Sequence, residues 1–353
     1  MLKMIDIWVQ GRMPDHLMTS LITKEQLMSV LALLLVVAAF AITMAIMPAV
    51  IRKLQEKGIV ATDYYKKDLR KVPTRGGIAP LLVVALMLAS AMLAQHLRCV
   101  RIVNKVDLIS TLVVIIFGVF GAVDDSIDIH RGLKIVIPFL LALPLALTTA
   151  STTMILPLVG EVDLGVFFSY LIVPLYVMVV ANLVNMHSGF NGLACGLSVI
   201  LMVTLLVKVV MGGGSSFMLS CMLGAALALF WYNRYPSRVF LGNIGSFLLG
   251  AAIGVAIVTH GFLVSGFVML IPHTVNFLMY VYWRVMHKLH PDDERWRIVK
   301  FGRVRDDGTL EVPNGLTLKW ALPYRWRMTE VQAVLAMYAL TIPFCIAAVF
   351  IPY

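Results

Sequence analysis

Leu108-Ile-Ser-Thr-Leu-Val-Val-Ile-Ile-Phe-Gly-Val-Phe-Gly-Ala-Val123 is a hydrophobic run without a charge that two adjacent carboxylates, Asp124 and Asp125, bring to an end. A lysine, Lys134, follows nine residues after the second. Carboxylates at the depth or edge of a membrane are costly enough to mark function. Two neighbouring carboxylates also repel each other and call for a cation, a lysine or a shared proton. A magnesium-bound diphosphate would supply one such environment. An ordinary solvated helix end is the plain alternative, and the rest of the chain has to decide between them.

Working outward, the same apolar character recurs. The chain has 353 residues, 60% hydrophobic and 14% charged, with a mean hydropathy of +0.90. A soluble protein of this length would carry far more charge. Crossing about 30 Å of hydrocarbon takes roughly 20 apolar residues. Such stretches fall near 27–51, 77–96, 107–123, 132–150, 165–187, 190–211, 216–232, 239–259, 262–285 and 329–350. The expected fold is an all-α integral membrane protein of ten helices in one domain over 1–353. The residues before the first span hold Lys3, Asp6, Arg12 and Asp15 and no apolar signal core. Cys99, Cys195, Cys221 and Cys345 are scattered, without metal-ligand spacing, and read as small packing residues.

Charge orients the bundle. With ten spans both termini share one face. The opposite face receives most of the 29 lysines and arginines, chiefly in the loops 52–76 and 286–328 and at Arg131, Lys134, Arg234, Arg238 and Arg284. The positive-inside rule puts that face in the cytoplasm and the termini outside. Arg98, Arg101 and Lys105, in an external loop, run against the rule. Topology and anionic headgroups account for this basicity without nucleic acid. Loop 286–328 is too long for a simple connection. Within it Ile298–Val304 partly alternates, Asp306-Asp307-Gly308 can turn, and Leu310-Glu311-Val312 resumes an extended pattern, so a small cytoplasmic β-hairpin is expected.

Three further cytoplasmic mouths carry unusual polar residues. Asn182 and Asn185 share a helical face, and Gly189, Asn191 and Gly192 follow where two spans must break. Amides there can donate to phosphates or bases, or ligate magnesium through oxygen. Phe240-Leu241-Gly242-Asn243-Ile244-Gly245-Ser246 offers a ring for a base beside a backbone that lets phosphate approach, although membrane glycines more often serve helix packing. His287 and His290 could bind phosphate or metal, or sit at headgroup level. No internal repeat is visible, which weighs against a secondary transporter.

In this order these mouths resemble the polyprenyl-phosphate N-acetylhexosamine-1-phosphate transferase family. Its members include the bacterial translocase of peptidoglycan assembly and the dolichyl-phosphate GlcNAc-1-phosphate transferase of N-glycosylation. The matching pieces are Val72-Pro73-Thr74-Arg75-Gly76-Gly77, Asp124-Asp125 with Lys134, Asn182-x-x-Asn185 through Asn191-Gly192-Leu193, the Phe240–Ser246 stretch and the histidine loop. The resemblance implies transfer of GlcNAc-1-phosphate from UDP-GlcNAc to a polyprenyl, here dolichyl, phosphate, with release of UMP. The same chemistry with UDP-MurNAc-pentapeptide or another UDP-HexNAc on undecaprenyl phosphate is the near alternative. A transporter or flippase, or an inactive nucleotide-sugar-binding paralogue, is the distant one.

By resemblance, Asp124 and Asp125 would handle lipid phosphate or the metal shell, and Lys134 would hold diphosphate. Asn185 and Asn243 would ligate magnesium, with manganese able to take its place. Phe240, Asn191 and the Gly189 backbone would hold uracil; Asn182, His290 and Arg303 would complete the substrate site. A homodimer in the cell membrane is also implied. Three positions depart from the pattern. Asn243 stands where relatives carry Asp, Ser188 stands where bacterial members carry Asp, and Ala194 stands where the eukaryotic branch often has Glu. The mixture looks archaeal.

Overall fold

The computed structural model describes residues 24–97, 102–148, 152–156 and 160–352. The N-terminal lead-in, Arg98, Cys99 and Arg101 lie outside them. The chain is mostly helical, and apolar helices dominate because each satisfies its backbone groups internally in a medium without water. Long apolar helices are α1 (Lys24–Glu56), α2 (Ile78–His96), α3 (Lys105–Ile127), α5 (Val173–Met186, entered through a π turn at Phe168–Ile172), α6 (Leu193–Met211), α8 (Gly242–Thr259) and α12 (Glu330–Phe350). These seven, with the π turn counted into α5, are long and apolar enough to cross a membrane. Two shorter apolar helices are α4 (Leu133–Ala142, prolonged by a 3-10 turn at Leu143–Thr148) and α7 (Phe217–Asn233).

The span expected over 262–285 is broken. It consists of α9 (Leu263–Met269) and α10 (Ile271–Leu289), bent by 62° and long enough only together to make an eighth crossing. Pro272 in the first turn of α10 has no N–H to continue the preceding ladder, so the helix restarts there.

Three short antiparallel pairs interrupt the helices. Val60–Thr62 (β1) pairs with Lys71–Pro73 (β2), and Thr153–Leu156 (β3) pairs with Gly160–Asp163 (β4). Neither pair was anticipated. In 286–328, Arg303–Val304 (β5) pairs with Leu310–Glu311 (β6), a ladder of only two residues on each strand. A 3-10 turn at Glu294–Trp296 and a short helix, α11 (Leu318–Arg325), complete that segment. It docks through a second apolar cluster that includes Tyr65, Phe190, Trp283, Leu310, Trp320 and Val334.

Helix α8 is the axis of the bundle, buried from Ile244 to Ile257 and packed on α3 and α5. Small residues permit this close approach. Charges at membrane depth are partnered: Asp107 takes part in a capping box with Asn104 and also accepts from the Phe217 amide at 3.0 Å, capping α7. Lys208 donates to the Ala348 carbonyl at 3.1 Å, near the end of α12. Cys195, Cys221 and Cys345 are buried free thiols.

Gly121 is the tightest constraint between this axis and the carboxylates. A methyl group there would sit 2.5 Å from the Asn243 carbonyl oxygen and 2.6 Å from the Ile244 α-carbon. Backbone atoms cannot swing aside, so Gly121→Ala is expected to cost about 1–3 kcal/mol and to displace the start of α8. Thermal unfolding in detergent measures it, and an unchanged transition would mean that α3 slides freely.

Candidate active site

A cleft of about 310 Å³ opens where the carboxylate end of α3 meets the start of α8. Segments far apart in the chain line it: Ala61–Tyr65, Asp125, Asn185, the turn Ser188–Asn191, Phe240–Asn243, Ser246 and Phe301.

The first turn of α8 lacks a local cap, since Leu241 offers no side-chain acceptor. Asp125 provides one from α3. Its two carboxylate oxygens accept from the Asn243 amide at 2.8 Å and the Ile244 amide at 3.1 Å. This satisfies two orphan donors and places negative charge at the positive end of the helix dipole. Arg75 donates to the Asp125 backbone carbonyl. The Val72–Gly77 stretch is laced to Phe240: the Phe240 amide donates to the Pro73 carbonyl, and the Gly76 amide donates to the Phe240 carbonyl, each at 2.8 Å. That stretch therefore holds the ring at the cleft wall.

The twin aspartates part company. Successive helical residues point about 100° apart, and Asp124 is turned away from the cleft and buried. Its Oδ1 meets the Lys134 ammonium at 2.9 Å and the Ile129 amide at 2.9 Å, while Oδ2 has no hydrogen-bond partner among the described residues. Asn182 belongs with this pair rather than with the cleft. Its amide nitrogen donates to the Lys134 and Met178 carbonyls, both at 3.0 Å. One turn later Asn185 does line the cleft, its Oδ1 accepting from the Ser246 hydroxyl at 2.7 Å.

Asn191 borders the cleft with both ends of its carboxamide already engaged. Oδ1 accepts from the Ser237 amide at 2.7 Å, and Nδ2 donates to Asp63 at 3.1 Å. Its backbone amide donates to Glu330 at 2.6 Å. It is a buried brace that keeps one amide hydrogen and one oxygen lone pair beyond these bonds. Gly189 and Gly192, at φ +111° and +81°, supply the expected break between α5 and α6. His290 and Arg303 are exposed, and neither lines the cleft; the two-residue β5–β6 ladder leaves Phe301 as the residue that reaches it.

Several site residues escaped the sequence reading. Lys66 lies buried between Asp63 (3.1 Å) and Glu330 (2.5 Å) and closes the floor behind Asn191. Glu330, a lone acid opening an apolar helix, carried a usable signal. Lys319 donates to the Ser188 carbonyl at 2.7 Å, and burial pushes its ammonium down to about 8. Beneath that turn the rings of His187 and His273 meet edge to face at 4.6 Å. Burial, then His273 and Lys319, hold the His187 imidazole well below its ordinary value.

Among the described residues no three His, Cys, Asp or Glu side chains cluster as a metal cage. Of the two carboxylates that line the cleft, Asp63 is taken up by Lys66 and Asn191, so what the cleft offers a cation is Asp125 and the amide side chains of Asn185 and Asn243. That donor set suits magnesium, which keeps several waters and is bound through one or two carboxylates plus substrate phosphates.

Comparison with known proteins gives the family. The profile of glycosyl transferase family 4 matches residues 108–261. A Sulfolobus acidocaldarius protein named for UDP-N-acetylglucosamine–dolichyl-phosphate N-acetylglucosaminephosphotransferase activity is 30% identical over 338 residues, covering 92% of this chain and 97% of its own. The chain belongs to glycosyl transferase family 4. A Saccharolobus solfataricus protein named for the same activity is 28% identical, covering 91% of this chain and 97% of its own. A phospho-N-acetylmuramoyl-pentapeptide-transferase of Thermodesulfovibrio yellowstonii is 30% identical over 64% of this chain and 72% of its own. This family 4 member is thus a multi-pass membrane enzyme of sugar-phosphate transfer. The matched segment contains Asp124, Asp125, Lys134, Asn185, Phe240 and Asn243, whereas Asp63, Phe301 and Glu330 lie beyond it.

Proposed function

We propose that this enzyme transfers GlcNAc-1-phosphate from UDP-GlcNAc to dolichyl phosphate and releases UMP. The observation that carries the reading is the meeting of Asp125, Asn185, Phe240 and Asn243 in one cleft, beside the Asp124–Lys134 pair. The names of the two archaeal relatives supply the sugar and the lipid.

A phosphate oxygen of the lipid forms a bond to the sugar-bearing phosphorus. The bond from that phosphorus to the bridging oxygen breaks, and its electron pair leaves with UMP. Such a transfer needs alignment and charge neutralisation more than a protein nucleophile. Phe240 and the open Gly189 backbone would hold the uridine. Asp124 and Asn182 hold Lys134, through its ammonium and its carbonyl, so that a cation stands beside the cleft for phosphate oxygens. Asp125, Asn185 and Asn243 would hold magnesium. When bound, the ion neutralises charge developing on the diphosphate.

We take the chain as one membrane domain of ten crossings: seven long helices, the bent α9–α10 pair, and the shorter α4 and α7. Such a count puts the cleft at the cytoplasmic face and both termini outside by the positive-inside rule.

Purified enzyme given radiolabelled UDP-GlcNAc, dolichyl phosphate and magnesium is expected to yield UMP and a labelled lipid, and to stop on addition of EDTA. Uptake into vesicles without bond cleavage would make it a transporter. A preference for UDP-MurNAc-pentapeptide would move it to the bacterial chemistry. Asn243→Asp adds a carboxylate at the cation's position and is expected to lower the magnesium needed for half-maximal rate roughly tenfold, about 1.4 kcal/mol. Turnover that appears only in Asn243→Asp would mean the natural chain binds its nucleotide sugar without reacting it.

A further inference from the structure

Tyr64 and Phe301 stack at the cleft with ring centroids 4.1 Å apart and planes 13° from parallel. Both line it, and both remain open, at 42% and 41% exposure. The two residues lie more than two hundred positions apart, one beyond β1 and the other just before β5. A stacked pair of large rings left half bare at a cleft can fasten two segments or receive a ligand.

Fastening is already provided next door. The Tyr65 hydroxyl accepts from the Gly302 amide at 3.3 Å and from the Trp320 indole at 3.2 Å, and its ring lies buried in the apolar cluster. Asp63, on the other side of Tyr64, is held by Lys66 and Asn191. The stacked pair is thus braced through the immediate neighbours of both its members, and its bare faces are free for something else. A pre-positioned aromatic surface gives contact area at little ordering cost.

We propose that Tyr64 and Phe301 form a second aromatic wall of the cleft, in addition to Phe240, which takes the planar base of the nucleotide. This rests on the nucleotide-sugar reading above. The ligand class follows from the surface: flat rings reward the π-face of a base, which a bare diphosphate lacks. The 286–328 segment thereby acts as a contributor to nucleotide affinity through Phe301.

Calorimetric titration of the full-length purified protein with UDP-GlcNAc, and separately with inorganic pyrophosphate, tests the wall. Phe301→Ala and Tyr64→Ala are each expected to weaken UDP-GlcNAc binding about tenfold or more and to leave pyrophosphate binding as it was. Tyr64→Phe, which keeps the ring, is expected to restore the affinity. Alanine variants that bind UDP-GlcNAc as tightly as the natural protein would overturn the wall. So would an equal loss for both ligands together with a lowered unfolding temperature, which marks a fastener only. If the natural protein itself binds no UDP-GlcNAc, the nucleotide-sugar reading fails first and takes the wall with it.

Discussion

Asp125→Ala is expected to reduce UMP release by at least about two to three orders of magnitude, the loss typical when a pre-organised electrostatic group is removed. Two effects combine. The carboxylate is the charged member of the cation-binding set, and it also fixes Asn243 in place by capping the start of α8. Losing a cap costs about 0.5–2 kcal/mol, so the alanine variant should also melt earlier. Asp125→Asn separates the two roles, because an amide oxygen can still accept from one of the two backbone donors while carrying no charge. It is expected to recover much of the stability and little of the rate. Single-turnover UMP release alongside thermal unfolding measures both. A fully active Asp125→Asn enzyme would remove the charge from the mechanism and leave Asp125 as a helix cap.

Lys66→Met is expected to destabilise the fold by about 3–5 kcal/mol, the cost of breaking a buried ion pair and stranding its partners. Asp63 and Glu330 would then face each other, both almost wholly buried, with no cation between them. Because Asn191 hangs on both carboxylates, the cleft floor would loosen with them. The double variant Lys66→Met with Glu330→Gln removes one stranded charge and is expected to regain part of the loss, a coupling that a double-mutant cycle reads directly. A wild-type unfolding temperature for Lys66→Met would show that water reaches and solvates the pair.

These two residues differ in how visible they were. Asp125 announces itself: a carboxylate at the end of an apolar run is conspicuous on composition alone. Lys66 sits among Lys67, Arg70 and Lys71 in a loop whose basicity is explained by topology. Nothing local distinguishes the one lysine whose partners, Asp63 and Glu330, lie three and 264 positions away. Asn191 shows a second kind of hidden role. Its residue type and setting suggested a ligand contact, and the structure adds a bracing role through Ser237 and Asp63 that no local pattern announces. The resemblance put Arg303 and His290 in the substrate site; both side chains are exposed and outside the cleft lining, where Phe301 stands.

Amino-acid order by itself determined that this is a helical membrane protein with acids, amides and a phenylalanine at the ends of particular spans. Apolar length and the cost of charge in hydrocarbon act residue by residue and can be read in one dimension. Only the tertiary structure decided which of those groups share a cavity. Asp124 and Asp125 are neighbours in the chain, and a helical turn of about 100° per residue sends one to Lys134 and the other to the start of α8. The buried Lys66 and the Tyr64–Phe301 stack depend on where distant segments pack, and long-range packing leaves no periodicity behind.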